Sequence, residues 1–144
     1  MRKRIVPLFI ALLLVLTIIA AAWHLTSRAS VPENAVCVVS GSVQTIVHAD
    51  DLPLQRIQGE IVNGKGETIS IDAQGTPLSA LLNDTDGCTS ITVRASDEYT
   101  ADLAADEFDR ACIILQEDGG LRLIVFGDPD SRRSVRNLTE VIVQ

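Results

Sequence analysis

The chain has 144 residues, with 12 bases, 19 acids and a net charge of −7, a length that suits one domain behind a targeting segment. Residues 1–30 carry Arg2, Lys3, Arg4 and Arg28 and no acid, whereas residues 31–144 set eight bases against nineteen acids, a net charge near −11. So acidic a domain repels polyanions, which excludes nucleic acid as a partner and disfavours lying flat on an anionic membrane.

In residues 1–25 three cations precede an apolar run from residue 5 to 23, interrupted only by Pro7 and Thr17. At about 1.5 Å per residue such a run nearly spans a ~30 Å hydrocarbon core. It is therefore expected to be a transmembrane helix, a single-pass anchor in the cell membrane. The cations would stay cytoplasmic and the following domain would lie on the extracytoplasmic side. The alternative is a cleaved signal peptide, with Ala20 and Ala22 flanking the cut and the domain secreted.

Residues 26–35 read as a polar linker, and residues 36–144 as the domain. Short β-branched runs separated by Gly, Asp and Asn place strands at 36–40, 43–48, 57–62, 67–72, 90–95, 112–117, 121–126 and 139–143. The dense runs "CIIL" and "LRLIVF" suggest burial on both faces. Asp118, Gly119 and Gly120 mark the turn of a hairpin over 112–126. Two short helices are expected between the strands. One lies in "GTPLSALLND", with Thr76 as N-cap and Pro77 in the first helical position. The other is the acidic "ADLAADEFDRA", with Leu103 and Phe108 facing inward. The fold class is thus α+β, a mostly antiparallel sheet or barrel with two short helices.

Cys37, Cys88 and Cys112 make an odd count. In an exported protein that suggests one disulfide and a free thiol, or three thiols. Cys37 and Cys112 sit in apolar runs and are expected to be buried, with Cys88 the most accessible. His48, followed by Asp50 and Asp51, is a candidate general base or a strand-end histidine beside a turn. No G-x-S-x-G elbow supplies a serine nucleophile. "NDTDG" at 83–87 would place Leu82 and Val93 at the first and twelfth positions of a calcium loop, where neither coordinates, so it reads as a turn. The acids between Asp97 and Asp109 read as a solvated face.

The basic cluster is the chemically interesting segment. Arg132, Arg133, Ser134 and Arg136 follow Gly127 in "GDPDSRRSVRN". Planar guanidinium forks suit a phosphate, and a turn lets backbone N–H groups approach an anion. The competing reading is a charged loop that pairs with the domain's own carboxylates.

Four ordered pieces, "GTPLSALL", "VRASDEYTADLAADEF", "LRLIVFGD" and "RRSVRNLTEVIV", extend over about 70 residues. Together they resemble the sulfite-oxidase-type molybdopterin-binding domain family. The resemblance implies a sulfite-oxidase-like fold over 36–144. It also implies that Arg133, Ser134 and Arg136 match a loop holding the phosphate end of a pterin cofactor, with Asn137 where a Trp is usual. The family's metal-ligating thiolate segment finds its best counterpart in "EIVNGKG", which puts Val62 at the thiolate position. An isopropyl group has no sulfur lone pair, so ordinary molybdenum ligation is lost. Only eight residues separate Gly66 from Gly75, fewer than the family uses to complete its pocket. The expectation is a membrane-anchored, extracytoplasmic bacterial binding or accessory module for an anionic small molecule or a redox partner protein. The alternatives are a minimal molybdopterin-dependent oxidoreductase and a structural or interaction module with no ligand. Molybdopterin is the cofactor implied.

Overall fold

The computed structural model describes residues 2–26, 31–82 and 87–144, with side chains omitted for 2–9 and 24–26. The linker residues 27–30 and most of the "NDTDG" turn therefore lie outside the described residues. Two units result, Met1–Ser30 and Val31–Gln144.

The first unit is a helix, α1 (Arg2–Thr26). The transmembrane expectation is corrected here: among the described residues no helix is long and apolar enough to cross a membrane.

The described residues of the second unit form nine strands. Strands β1 (Ala35–Ser40), β2 (Val43–His48), β5 (Ser90–Ala95), β6 (Thr100–Ala104) and β9 (Leu138–Val143) form one sheet in the order β2-β1-β9-β5-β6. Strands β3 (Gln55–Val62), β4 (Thr68–Pro77), β7 (Ala111–Leu115) and β8 (Leu121–Val125) form the other, in the order β3-β4-β7-β8. The β1–β9 pairing is parallel and every other strand pairing is antiparallel.

The main core lies between the sheets. Val36, Ile91, Val93, Leu103, Leu138 and Val141 of the first sheet meet Ala111, Ile113, Leu121, Leu123 and Val125 of the second. Strands β7 and β8 are dense because they are covered twice. The alternate residues Cys112 and Ile124 face away from that core and join Ile57, Ile61 and Phe126 in a second one. To make it, the β3–β4 hairpin curls over the outer face of its own sheet. The Gly127 N–H donates to the Glu60 carbonyl at 3.1 Å, linking β3 to the chain just after β8. Gly59 permits this closure: a Cβ there would lie 2.4 Å from the Phe126 ring.

The α+β expectation is corrected to a predominantly β fold of two sheets. The segment expected as an acidic helix is β6 followed by a 3-10 turn, Ala105–Glu107. Period-two contacts decide it: Leu103 pairs opposite Ile91 and Ala101 opposite Val93, and the Thr92 hydroxyl bonds Asp102 at 2.6 Å. Leu103 and Phe108 are nonetheless buried as expected. The other expected helix shrinks to one turn, α2 (Leu78–Leu81). Thr76 does not cap it; it belongs to β4, fully buried, and its hydroxyl donates to the Pro53 carbonyl at 3.3 Å.

Candidate functional site: a cleft beside the arginine bend

The bend between β8 and β9 is fixed by hydrogen bonds on three sides. Val135 exchanges N–H and carbonyl bonds with Leu123 at 2.8 and 3.0 Å, Ser96 N–H donates to Asn137 at 2.9 Å, and the Tyr99 hydroxyl donates to the Arg132 carbonyl at 2.6 Å. Asn137 takes a left-handed φ of 51° to turn the chain into β9. With Val135 buried, its neighbours Ser134 and Arg136 are held at fixed positions on either side of it.

The three residues expected to bind an anion are separated by this geometry. Arg133 is spent on carboxylates. Its Nε reaches Asp128 Oδ2 at 2.8 Å, its Nη2 reaches Asp128 Oδ1, and its Nη1 lies 2.7 and 2.8 Å from the Glu107 oxygens. Arg110 completes the group, donating to Asp128 at 3.0 Å, to Glu107, and to the Phe126 carbonyl at 3.1 Å. Two guanidinium groups thus neutralise two carboxylates, one of them, Asp128, buried. The Arg133 and backbone Ala104 bonds hold the Glu107 carboxyl down to about 2, and Asp128, then Glu107, raise the Arg133 guanidinium above its ordinary value. Every nitrogen of the Arg133 guanidinium thus already donates to a carboxylate.

Ser134 and Arg136 turn the other way. They line a cleft of about 550 Å³ together with Ser131, Tyr99, Arg122 and Gly64. Gly64 belongs to the β3–β4 turn, which Asn63 organises by accepting the Lys65 and Glu67 N–H groups at 2.9 Å each. The "EIVNGKG" segment therefore does come to the arginine bend. Val62 is half-buried at the end of β3. None of the three cysteines lines the cleft; all are free, with Cys37 and Cys112 buried and Cys88 half-buried. Burial pushes the Cys112 thiol to about 11, and burial and then Glu140 raise Cys37.

Arg122 is the residue that sequence reasoning missed. It sits on the outer face of β8 opposite Ile114, and its buried Nε has no hydrogen-bond partner among the described residues. Burial, and then the nearby Arg136 charge, lower its affinity for a proton. Among the described residues neither Arg122 nor Arg136 holds an ion pair. The one acid in the lining, Asp97, accepts the Tyr99 N–H at 3.1 Å. A lone basic residue inside an otherwise apolar strand, "LRLIVF", was the available signal.

A neighbouring cleft of about 400 Å³ is lined by Glu33 and Asp118 with no base, so it does not suit an anion. His48 is exposed at the end of β2 and lines neither cleft. Among the described residues no group of three or more His, Cys, Asp or Glu side chains is placed to hold a metal ion.

No protein-family model and no curated protein matches the chain. The expectations of a molybdopterin cofactor and of oxidoreductase character find no support in these comparisons or in the structure.

Proposed function

We propose that residues 31–144 form a binding module for a small anionic ligand, held in the cleft by Arg122 and Arg136 with Ser134 as a neutral donor. One observation carries this reading: Arg122 buries an Nε that nothing among the described residues satisfies, beside a second cation that destabilises it. An unmet buried donor costs about 1–3 kcal/mol, more when charged. An anion in the cleft would offset both that cost and the Arg122–Arg136 repulsion. Export of the module rests on Arg2, Lys3 and Arg4 ahead of an apolar run, and a reporter fused after residue 30 tests it by its appearance outside the cytoplasm.

Calorimetric titration with inorganic phosphate and sulfate tests the binding. The expected result is saturable binding that weakens as salt rises. Arg136→Gln should lower affinity by about tenfold or more, the range for a charged hydrogen bond. Arg132→Gln, whose side chain is 85% exposed and lies outside the cleft, should change little. Absence of saturable binding, or equal affinity in Arg136→Gln, overturns the proposal.

A further inference from the structure

The turn that joins β7 to β8, residues 116–120, is held closed by hydrogen bonds of its own. Gln116 N–H donates to the Gly120 carbonyl at 2.7 Å, Gly119 N–H to the Gln116 carbonyl at 3.0 Å, and Gly120 N–H to Asp118 Oδ1 at 3.0 Å. The side-chain oxygen of Gln116 is nevertheless buried with no hydrogen-bond partner among the described residues. A buried acceptor left unmet costs free energy, and native folds keep few of them. The unmet Arg122 Nε belongs to the anion cleft; Gln116 Oε1 calls for a ligand of the opposite kind.

That oxygen has two others beside it. A Cβ placed on Gly120 would lie 3.7 Å from Gln116 Oε1, 3.3 Å from Asp118 Oδ1 and 3.1 Å from Asn137 Oδ1. Three oxygens from two distant segments therefore surround one small space, which the missing side chain at residue 120 leaves open. Asn137 is brought there by its left-handed φ of 51° and by the Ser96 N–H bond to its carbonyl. Asp118, Gly120 and Asn137 also line the cleft of about 400 Å³, which adds the Glu33 carboxylate and the Ser96 and Thr139 hydroxyls and, among the described residues, no base. Thr139 spends its hydroxyl proton on the Arg94 carbonyl at 3.1 Å, so its oxygen has only lone pairs to offer.

We propose that this oxygen nest is a calcium site, with Gln116 Oε1, Asn137 Oδ1 and Asp118 as ligands and Glu33 and water completing the shell. The donor set argues for a hard cation: every ligand is oxygen, with no thiolate or imidazole to select zinc or copper. Two carboxylates balance a double positive charge. Calcium accepts mixed carboxylate and amide ligands in flexible geometry, whereas magnesium demands a near-ideal octahedron and gives up its water reluctantly. Calcium–oxygen bonds of about 2.3–2.6 Å require the side chains to draw in slightly, and Asp118 and Asn137, both exposed, have room to do so. Arg122 and Arg136 lie in the cleft on the other side of Asn137. Their charge opposes the ion, so the affinity expected is at the weak end for calcium modules, a Kd of about 10⁻⁴–10⁻³ M.

Calorimetric titration of the full chain with calcium chloride, in phosphate-free buffer, tests this. Wild type is expected to bind one ion saturably and to melt at a higher temperature when calcium is present. Gly120→Ala changes no ligand and suits the backbone, since Gly120 has no positive φ, but its methyl fills the nest; binding should be lost. Gln116→Met, which removes the unmet oxygen, should weaken binding by about tenfold or more. Glu117→Gln, an exposed acid in the same turn that does not line the cleft, should change affinity by no more than about twofold. Nuclear magnetic resonance on the wild type needs no variant: calcium should shift the Gln116, Gly120 and Asn137 amides and leave those of the exposed acids Asp102 and Asp106 unmoved. A Gln116 amide turned the other way would offer its N–H₂ to the neighbouring oxygens and leave nothing for an ion. Absence of saturable binding up to about 10 mM calcium, tenfold above the weakest Kd expected, therefore overturns the proposal. So does wild-type affinity in folded Gly120→Ala or Gln116→Met, or a shift centred on Asp102 and Asp106.

Discussion

Arg133 and Glu107, 26 residues apart, face each other with Nη1 at 2.7 and 2.8 Å from the two carboxylate oxygens. The contact ties the bend before β9 to the turn after β6, while the same guanidinium covers Asp128 beneath it. Arg133 is 27% exposed, Glu107 19% and Asp128 4%, so the ion pairs are shielded enough from water to matter energetically. Removing Arg133 leaves a buried carboxylate facing Arg110 alone. Arg133→Ala is therefore expected to cost about 3–5 kcal/mol, the range for breaking a buried pair from one side. Arg132→Ala, one residue away and solvent-exposed, should stay within about 0.5 kcal/mol. Urea denaturation of the two variants checks both values.

The same cluster sets an acid limit on stability. The Glu107 carboxyl is lowered from 4.5 to about 2, first by the Arg133 hydrogen bonds and then by the Ala104 N–H at 3.1 Å. A carboxyl with a depressed folded value contributes stability that is fully present above its unfolded value and is lost as pH falls through the folded one. The window is thus pH 4.5 to about 2, and at about 1.4 kcal/mol per unit the contribution is about 3 kcal/mol. Glu107→Gln should flatten the dependence of unfolding free energy on pH across that window, as measured by denaturation at stepped pH. An unchanged slope would mean that Glu107 is not held by the cluster.

Much of the strand pattern could be read directly because β-branched alternation is a local signal. "AVCVVS" and "VQTIVH" occupy their strands within a residue of the expected ends, and the Asp118–Gly120 turn closes the β7–β8 hairpin. Strand β6 could not be read that way. "ADLAADEF" has helix-forming composition, and only the pairing with β5, a non-local event, selects the extended form. The arginine bend fails for a related reason. Charge clustering marks a segment but not the direction of each side chain, and the carboxylates that take Arg133 lie at Glu107 and Asp128, one of them across the fold. Ser134 and Arg136 reach the cleft because Val135 between them is pinned to Leu123. Arg122 joins them only because the β3–β4 hairpin covers its face of β8, a closure that depends on the absence of a side chain at Gly59.

Arg122 sets stability against binding. Its guanidinium is half-buried, its Nε lacks a partner, and Arg136 repels it, so the unliganded fold carries an uncompensated cost at this position. Methionine has similar length, no charge, and the flexibility to pack against Ile114 and Ile124 on the same face. Arg122→Met is therefore expected to stabilise the unliganded protein by about 1 kcal/mol, as when an unmet buried polar group is replaced by an apolar one. It should also weaken phosphate binding by about tenfold or more, because the remaining cation, Arg136, is exposed and meets an anion alone. Opposite signs are the diagnostic outcome: a thermal midpoint that rises while affinity falls fits a ligand site, whereas a fall in both would make Arg122 a structural residue. Thermal melts with and without saturating phosphate, run on wild type and Arg122→Met, separate the two, since ligand should raise the wild-type midpoint more than that of the variant.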